Sequence, residues 1–257
     1  MRFLLHRLVR FWSIGFVKTK NATQPKRKNC PDRLWFLQSA DDFAFADVRT
    51  WVCVSHDLCS LRLGARDFLR ERGWTCVAGI LSPVADNFAK PELIDAPKRL
   101  RMCELAVETS DWLRASGWEC AKTHWSRTLD VLDHHKTEVE KEFGSDAHLM
   151  MICGADLLDS FNTIKPDGSR LWELEHLKRI LRDYGVVVLE RENAIPEETL
   201  RKLPLDEKQN VMIVRDETFP NQLSSTRLRA ALRRGHSIRY CTPDAVNNFI
   251  REHNLYA

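Results

Sequence analysis

Three short stretches in the second half of the chain are apolar without interruption, and they constrain its fold more than any other feature. Residues 149–153, 186–189 and 211–214 read LMMIC, VVVL and VMIV. Such a strand is buried on both faces, as in a parallel sheet covered by helices, because a half-exposed strand alternates apolar with polar residues. The stretches between them have helical patterns. The sequence therefore predicts an α/β fold with a doubly wound parallel sheet.

The other elements follow from the same periodicities and from the positions of proline and glycine. We predict further strands over residues 50–54 and 75–81. Helices are predicted over residues 61–72, 97–109, 125–143, 171–183, 226–234 and 243–253.

Positive charge is concentrated at the N-terminus. Residues 1–31 hold 8 of the 39 basic residues and no acidic one, so residues 32–257 carry 31 basic against 36 acidic residues. For this mildly acidic body we predict no nucleic-acid-binding surface. We divide the chain into a basic leader and linker over residues 1–33, disordered or used for targeting, and a single domain over residues 34–257.

Residues 1–20 combine arginines with apolar side chains. This pattern fits a mitochondrial presequence, an amphipathic helix at a membrane surface or a disordered leader. The first interpretation predicts a mitochondrial protein and the last a protein of the nucleus or cytoplasm. No run of 18 apolar residues is present, so we predict no membrane-spanning segment.

The eight cysteines form no CxxC pair. Paired ligands are the usual sequence signal of a zinc site, and a chain of this length does not need disulfides to fold. We therefore expect reduced, mostly buried thiols and no metal site.

Residues capable of chemistry follow the strand over residues 149–153. In such a sheet, ligands bind beyond the carboxyl ends of the strands, where this chain reads Gly154-Ala155-Asp156. A glycine lets a ligand approach the backbone, and the Asp156 carboxylate can accept hydrogen bonds from ribose hydroxyls or help to hold a metal ion. In the alternative interpretation, Asp156 only caps the following helix.

A second candidate site lies at the start of the helix over residues 226–234. The hydroxyls of Ser225 and Thr226 precede outward-pointing N–H groups, and Arg229 comes one turn later. Together they make a cradle suited to phosphate. The alternative is a capped basic helix on the surface.

The loop after residue 81 is the third candidate. Lys90 could meet a phosphate and Phe88 could stack on a flat ring, although an ordinary connecting loop is the alternative. Trp125 and Trp172 are equally open to two interpretations, because most of the eight tryptophans should serve packing.

Taken together, these motifs resemble the eukaryotic nicotinamide mononucleotide adenylyltransferase family. The resemblance rests most on GADLLDSF (154–161), LSSTRLRAALRRGHSIRY (223–240) and PDAVNNFIREHNLY (243–256). It is supported by AGILSPVADNFAK (78–90), KRLRMCELA (98–106), WSRTLDVLDHH (125–135) and LW (171–172). The similarity extends over residues 75–257.

The resemblance implies a Rossmann-like nucleotidylyltransferase that joins nicotinamide mononucleotide, or its acid form, to ATP with Mg²⁺. The products are NAD, or deamido-NAD, and pyrophosphate. In this chemistry the phosphate of the mononucleotide attacks the α-phosphorus of ATP in line. Catalysis then rests on positioning and charge stabilisation, without a covalent protein nucleophile. Members of the family also form homo-oligomers.

The resemblance also implies site residues. The ATP-binding set is Gly154, Asp156, Asn221, Ser225, Thr226 and Arg229. The mononucleotide-binding set is Lys90, Trp125, Thr128, Leu171 and Trp172. Phe88 is added to this set because it lies in the same predicted loop as Lys90. Arg229 is also a catalytic candidate, because a guanidinium there would stabilise charge on the reacting phosphates.

The N-terminal part departs from the family pattern, in which a strand runs into a glycine-rich G-S-F-N-P loop with a histidine shortly before an L-R-L helix start. Here the strand over residues 50–54 is followed by no glycine loop, and Ser60 stands at the histidine position. His56, four residues earlier, is the candidate replacement. The departure favours an alternative function, a catalytically impaired nucleotide-binding or chaperone-like relative. A third possible function is that of an adenylyltransferase with another acceptor. The matches to the family at Trp125 and Trp172 argue against it.

Overall fold

The structure is a computed structural model that describes residues 12–18, 49–52, 65–86, 94–190, 195–215 and 225–256. Residues 12–18, 49–52 and 225–226 are described by their backbone alone. The strands are β1 (Trp12–Lys18), β2 (Arg49–Val52), β3 (Gly79–Leu81), β4 (Leu113–Ala115), β5 (His148–Gly154), β6 (Val186–Leu189) and β7 (Val211–Val214). The helices are α1 (Arg66–Glu71), α2 (Ala96–Val107), α3 (Thr128–Phe143), α4 (Ala155–Asp159), α5 (Leu174–Asp183), α6 (Pro196–Lys202), α7 (Ser225–Leu232) and α8 (Asp244–Glu252).

The continuously apolar runs are the parallel strands of the main sheet. In the β5–β6–β7 ladder, Met151 pairs with Val186, and Val186 with Val211. β2 is parallel to β5 through Arg49 and Met151, while β3 and β4 form a separate parallel pair. Parallel strands of this kind need covering on both faces.

The two faces of β5 are buried against different helices. Met150 and Ile152 lie in a core cluster with residues of α1, α2, α7 and α8. Met151 and Cys153 point the other way, into a cluster with residues of α3, α4 and α5. The predicted doubly wound α/β fold is confirmed.

The N-terminal strand is an addition to that prediction. β1 lies within the predicted leader and runs antiparallel to both β2 and β5. The division of the chain at residue 34 stays a prediction. Among the helices in the described ranges, none combines the length and apolar character needed to cross a bilayer.

Five cysteines in the described part of the chain are free thiols, and three of them are buried. Burial raises the pKa of Cys76 and of Cys120 to about 12. At neutral pH these two thiols are therefore protonated and poor nucleophiles.

Candidate functional site

The carboxyl end of β5 turns directly into α4. Gly154 is the N-cap residue of that helix, with extended backbone angles (φ −77°, ψ 160°). Asp156 is the second residue of the helix and is exposed. The interpretation of Asp156 as the helix cap is therefore wrong, and its carboxylate faces solvent at the edge of the sheet where ligands bind in this fold class.

α7 begins one residue before the helix start that the sequence predicted. It begins at Ser225, and Arg229 lies one turn in, half-buried. Leu228 packs with Ile152 and Val187 in the core, which fixes the helix on the sheet. The side chains of Ser225 and Thr226 lie outside the described residues, so their roles stay predictions.

A cavity of about 140 Å³ lies between the start of α3 and the start of α5. Four residues of the predicted mononucleotide-binding set line it, namely Trp125, Thr128, Leu171 and Trp172. The remaining lining residues are Arg127, Leu129, Lys165, Arg170, Glu173, His176 and Ile180. Two distant segments of the chain thus meet around one partly open cavity.

The inner wall of the cavity is Trp172, which is 6% exposed. Its indole Nε1–H donates to the Ser160 hydroxyl over 2.9 Å, and that hydroxyl donates to the Leu157 carbonyl over 2.6 Å. The Phe161 ring meets the indole edge-on, with centroids 4.9 Å apart. These contacts fix the plane of the Trp172 ring.

The rim of the cavity is polar and more open. Trp125 is 42% exposed, and Arg127 donates hydrogen bonds to the Glu173 carboxylate and, over 3.2 Å, to Nδ1 of His176. Because a guanidinium only donates, Nδ1 of His176 must accept, which puts the proton of the neutral ring on Nε2. The hydrogen bond from Arg127 holds the pKa of Glu173 below its ordinary 4.5.

Arg99 of α2 joins the two flanks of the loop that carries Phe88 and Lys90. Its side chain is 1% exposed and donates to the Asp86 carboxylate over 2.6 Å and to the Val84 carbonyl. On the other flank it donates to the Ile94 carbonyl over 2.7 Å. One guanidinium thereby bridges residues 84 and 86 on one flank and residue 94 on the other.

Several predicted site residues lie outside the described residues. These are His56, Phe88, Lys90 and Asn221. The structure therefore brings together the four cavity residues, describes Gly154, Asp156 and Arg229, and gives the backbone alone for Ser225 and Thr226.

Sequence reasoning missed Arg127, Glu173 and His176 at the rim, and Arg99 in α2. The signal for Arg99 was available, because Arg99, Met102, Cys103 and Ala106 repeat at helical spacing and all are buried. A charged residue on an apolar helical face indicates a partnered, structural role.

Comparison with known proteins shows the family to which this chain belongs. The family model described as Cytidylyltransferase-like matches residues 65–231. Nicotinamide/nicotinic acid mononucleotide adenylyltransferase 2 of Caenorhabditis elegans is 46% identical over 195 residues, which cover 75% of this chain and 87% of that protein. The Arabidopsis thaliana protein named nicotinamide/nicotinic acid mononucleotide adenylyltransferase is 38% identical, with 75% and 80% covered. For mononucleotide adenylyltransferase 1 of Bos taurus the identity is 31%, with 75% and 81% covered. The chain belongs to the nicotinamide/nicotinic acid mononucleotide adenylyltransferase family.

Proposed function

We propose that this protein transfers the adenylyl group of ATP to nicotinamide mononucleotide or nicotinic acid mononucleotide in NAD biosynthesis. The observation that carries the proposal is the cavity in which Trp125, Thr128, Leu171 and Trp172 converge. Family membership supports the reaction class, since the relatives carry adenylyltransferase names. Nothing in the comparisons favours the impaired or chaperone-like alternative.

The size of the cavity suits the base of the mononucleotide rather than the whole nucleotide. Its volume is about 140 Å³, and a cavity of about 150 Å³ holds one benzene molecule. The pyridine ring therefore enters the cavity and contacts Trp125 and Trp172. The ribose and phosphate extend outward, toward the carboxyl ends of the strands.

The reaction needs no covalent intermediate on the protein. An oxygen of the mononucleotide phosphate forms a bond to the α-phosphorus of ATP, the bond to the bridging β-oxygen breaks, and pyrophosphate leaves. Negative charge develops on the phosphates, which Arg229 and the first turn of α7 neutralise. His56 is the candidate for a second group near the reacting phosphates.

ATP acts here as its Mg²⁺ complex. Mg²⁺ is usually held by substrate phosphates, waters and one or two carboxylates. The exposed Asp156 carboxylate fits that set and equally fits hydrogen bonding to the ribose of ATP. Asp156→Ala should weaken nucleotide binding in either role, and unchanged affinity in a titration would remove Asp156 from the site.

The test is dinucleotide formation by the purified full chain with ATP, Mg²⁺ and each mononucleotide. We expect turnover, and we expect Arg229→Ala to lower it by about 10² or more. Arg233→Ala, one turn further along the chain, is the matched control and should keep its activity. A folded protein that binds mononucleotide without forming dinucleotide would overturn the proposal and support the impaired relative.

Location and assembly are part of the proposal as well. We propose a homo-oligomer that binds ATP and mononucleotide, in the nucleus or cytoplasm unless residues 1–20 act as a mitochondrial presequence. Light scattering gives the oligomeric state. Fluorescent fusions with and without residues 1–20 distinguish the compartments, since only a presequence would make the two fusions differ in mitochondrial signal.

A further inference from the structure

α3 carries a second group of functional side chains beyond the residues that line the cavity. His134, His135 and Glu138 each offer one ligand atom, and these atoms all lie within 4.8 Å of one another. His134 and Glu138 are four residues apart and His135 and Glu138 three, so all three side chains meet on one side of the helix. His134 follows Thr128 by six residues, about 9 Å along the helix axis. The group is therefore separate from the proposed mononucleotide pocket.

The three ligand atoms of this group are close enough for small rearrangements to bring them around one metal ion. Oε2 of Glu138 lies 3.4 Å from Nε2 of His134 and 2.9 Å from Nδ1 of His135. Tetrahedral zinc with bonds of about 2.0–2.1 Å separates its ligand atoms by about 3.3–3.4 Å. The separation from Nε2 of His134 already agrees with this value, and the Glu138 carboxylate is free to adjust because its side chain is the most exposed of the three, at 47%. The two imidazole nitrogens lie within 4.8 Å of each other and would move closer when the ion binds.

The two imidazoles are held in place by packing. The Trp118 ring stacks on His134, with centroids 4.0 Å apart and planes 9° from parallel. Trp118 also meets His135 edge-on at 6.2 Å, and His135 is 2% exposed. Because ligands that are already ordered lose little rotamer freedom when a metal binds, this packing favours affinity.

We propose that His134, His135 and Glu138 bind a divalent transition-metal ion of the zinc class, with water at the fourth position. Two imidazole nitrogens and one carboxylate oxygen are ligands that suit zinc, whereas Mg²⁺ prefers an octahedral shell of oxygens. The ion would stabilise the middle of α3. It takes no part in adenylyl transfer.

Glu138→Gln is the decisive variant, because it removes the anionic ligand from an exposed position without changing its shape. Glu140→Gln is the matched control, since Glu140 lies on the same helix and is 39% exposed. Within the described residues, its one ion pair is with Lys136, at 3.8 Å. A third variant, His134→Phe, keeps a ring against Trp118 but removes the nitrogen.

Zn²⁺ is titrated calorimetrically into the full chain, previously stripped with a chelator, in the presence of excess Mg²⁺. We expect saturable binding that Glu138→Gln and His134→Phe each weaken by about 10-fold or more, because even loss of a group that only supports a metal ligand costs about 10–100-fold. Glu140→Gln should bind like the unchanged chain. Absence of Zn²⁺ binding, or equal binding by Glu138→Gln and Glu140→Gln, would overturn the proposal.

Cobalt distinguishes this group from the cysteines. Co²⁺ bound by nitrogen and oxygen gives weak visible bands without the strong near-ultraviolet charge-transfer band of a thiolate ligand. We expect the visible bands to disappear in Glu138→Gln. If the only signal were a thiolate band, and that band were unchanged in Glu138→Gln, the metal would be bound by cysteine. That result would refute this site. Both readouts measure metal binding, so they are independent of whether the enzyme assay succeeds.

Discussion

The inner wall and the rim of the cavity are held in different ways. Trp172 belongs to the core cluster that covers one face of the sheet, and it has a hydrogen-bond partner in Ser160. Trp125, by contrast, is 42% exposed, beside the exposed pair of Arg127 and Glu173. The inner wall therefore takes its shape when the protein folds. The rim is held by contacts between exposed polar side chains instead.

This contrast predicts that Trp172 matters most for stability. Trp172→Ala should lower the free energy of unfolding by about 3–5 kcal/mol, because it leaves a large cavity in the core. Trp172→Phe keeps a ring and loses the indole hydrogen bond, so it should cost about 1 kcal/mol for that bond and more only if the smaller ring packs loosely. Denaturant unfolding measures both. A cost below about 1 kcal/mol for Trp172→Ala would mean that the inner wall is not part of the core.

Trp125 should show the opposite pattern. Trp125→Ala should leave the free energy of unfolding within about 1 kcal/mol of the unchanged chain, as for most surface substitutions. Stacking of a base on an aromatic side chain contributes about 1–3 kcal/mol, so mononucleotide affinity should fall by about 5- to 150-fold. Calorimetric titration measures the affinity, with Trp125→Phe as the control that retains stacking. Unchanged affinity would exclude Trp125 from the binding surface.

The smallest effect is expected at the Arg127–Glu173 pair. Arg127 lowers the pKa of Glu173 in the folded state, so the pair stabilises the protein at neutral pH, and this contribution is lost as the pH falls below 4.5 through the folded pKa. Because both side chains are exposed, the contribution is small. Glu173→Gln should lower Tm slightly at neutral pH and not in acid. A difference that persists in acid would indicate packing rather than charge.

The sequence predicted the buried strands β5, β6 and β7 better than the short strands and the helix boundaries. β6 and β7 begin and end at the predicted residues, because a fully buried strand leaves a continuous apolar run. The helix predicted from residue 125 starts at Thr128 instead, because Arg127 is extended (φ −72°, ψ 153°) and its N–H donates to the Asp130 carboxylate. β4 was missed because it has three residues and only one of them is buried.

The residues of the candidate site were likewise predictable only in part. Trp125, Thr128, Leu171 and Trp172 were identified through motifs, and motif spacing carries over between relatives. Which tryptophan is the wall and which is the rim was not predictable, because burial depends on Phe161 and Ser160, which come from another segment. The Arg127–Glu173 contact joins residues 46 positions apart, beyond the reach of any local pattern.

The hydrogen bonds made by Arg99 bear on how far the chain between residues 84 and 94 can vary in length. The Arg99 side chain of α2 holds residues 84 and 94 at a fixed separation through its bonds to their carbonyl groups. Lengthening a closed surface loop costs little, about 0.6 kcal/mol for each doubling. An insertion between residues 87 and 93 should therefore lower stability only slightly, because Arg99 bridges the two flanks whatever the length of chain between them.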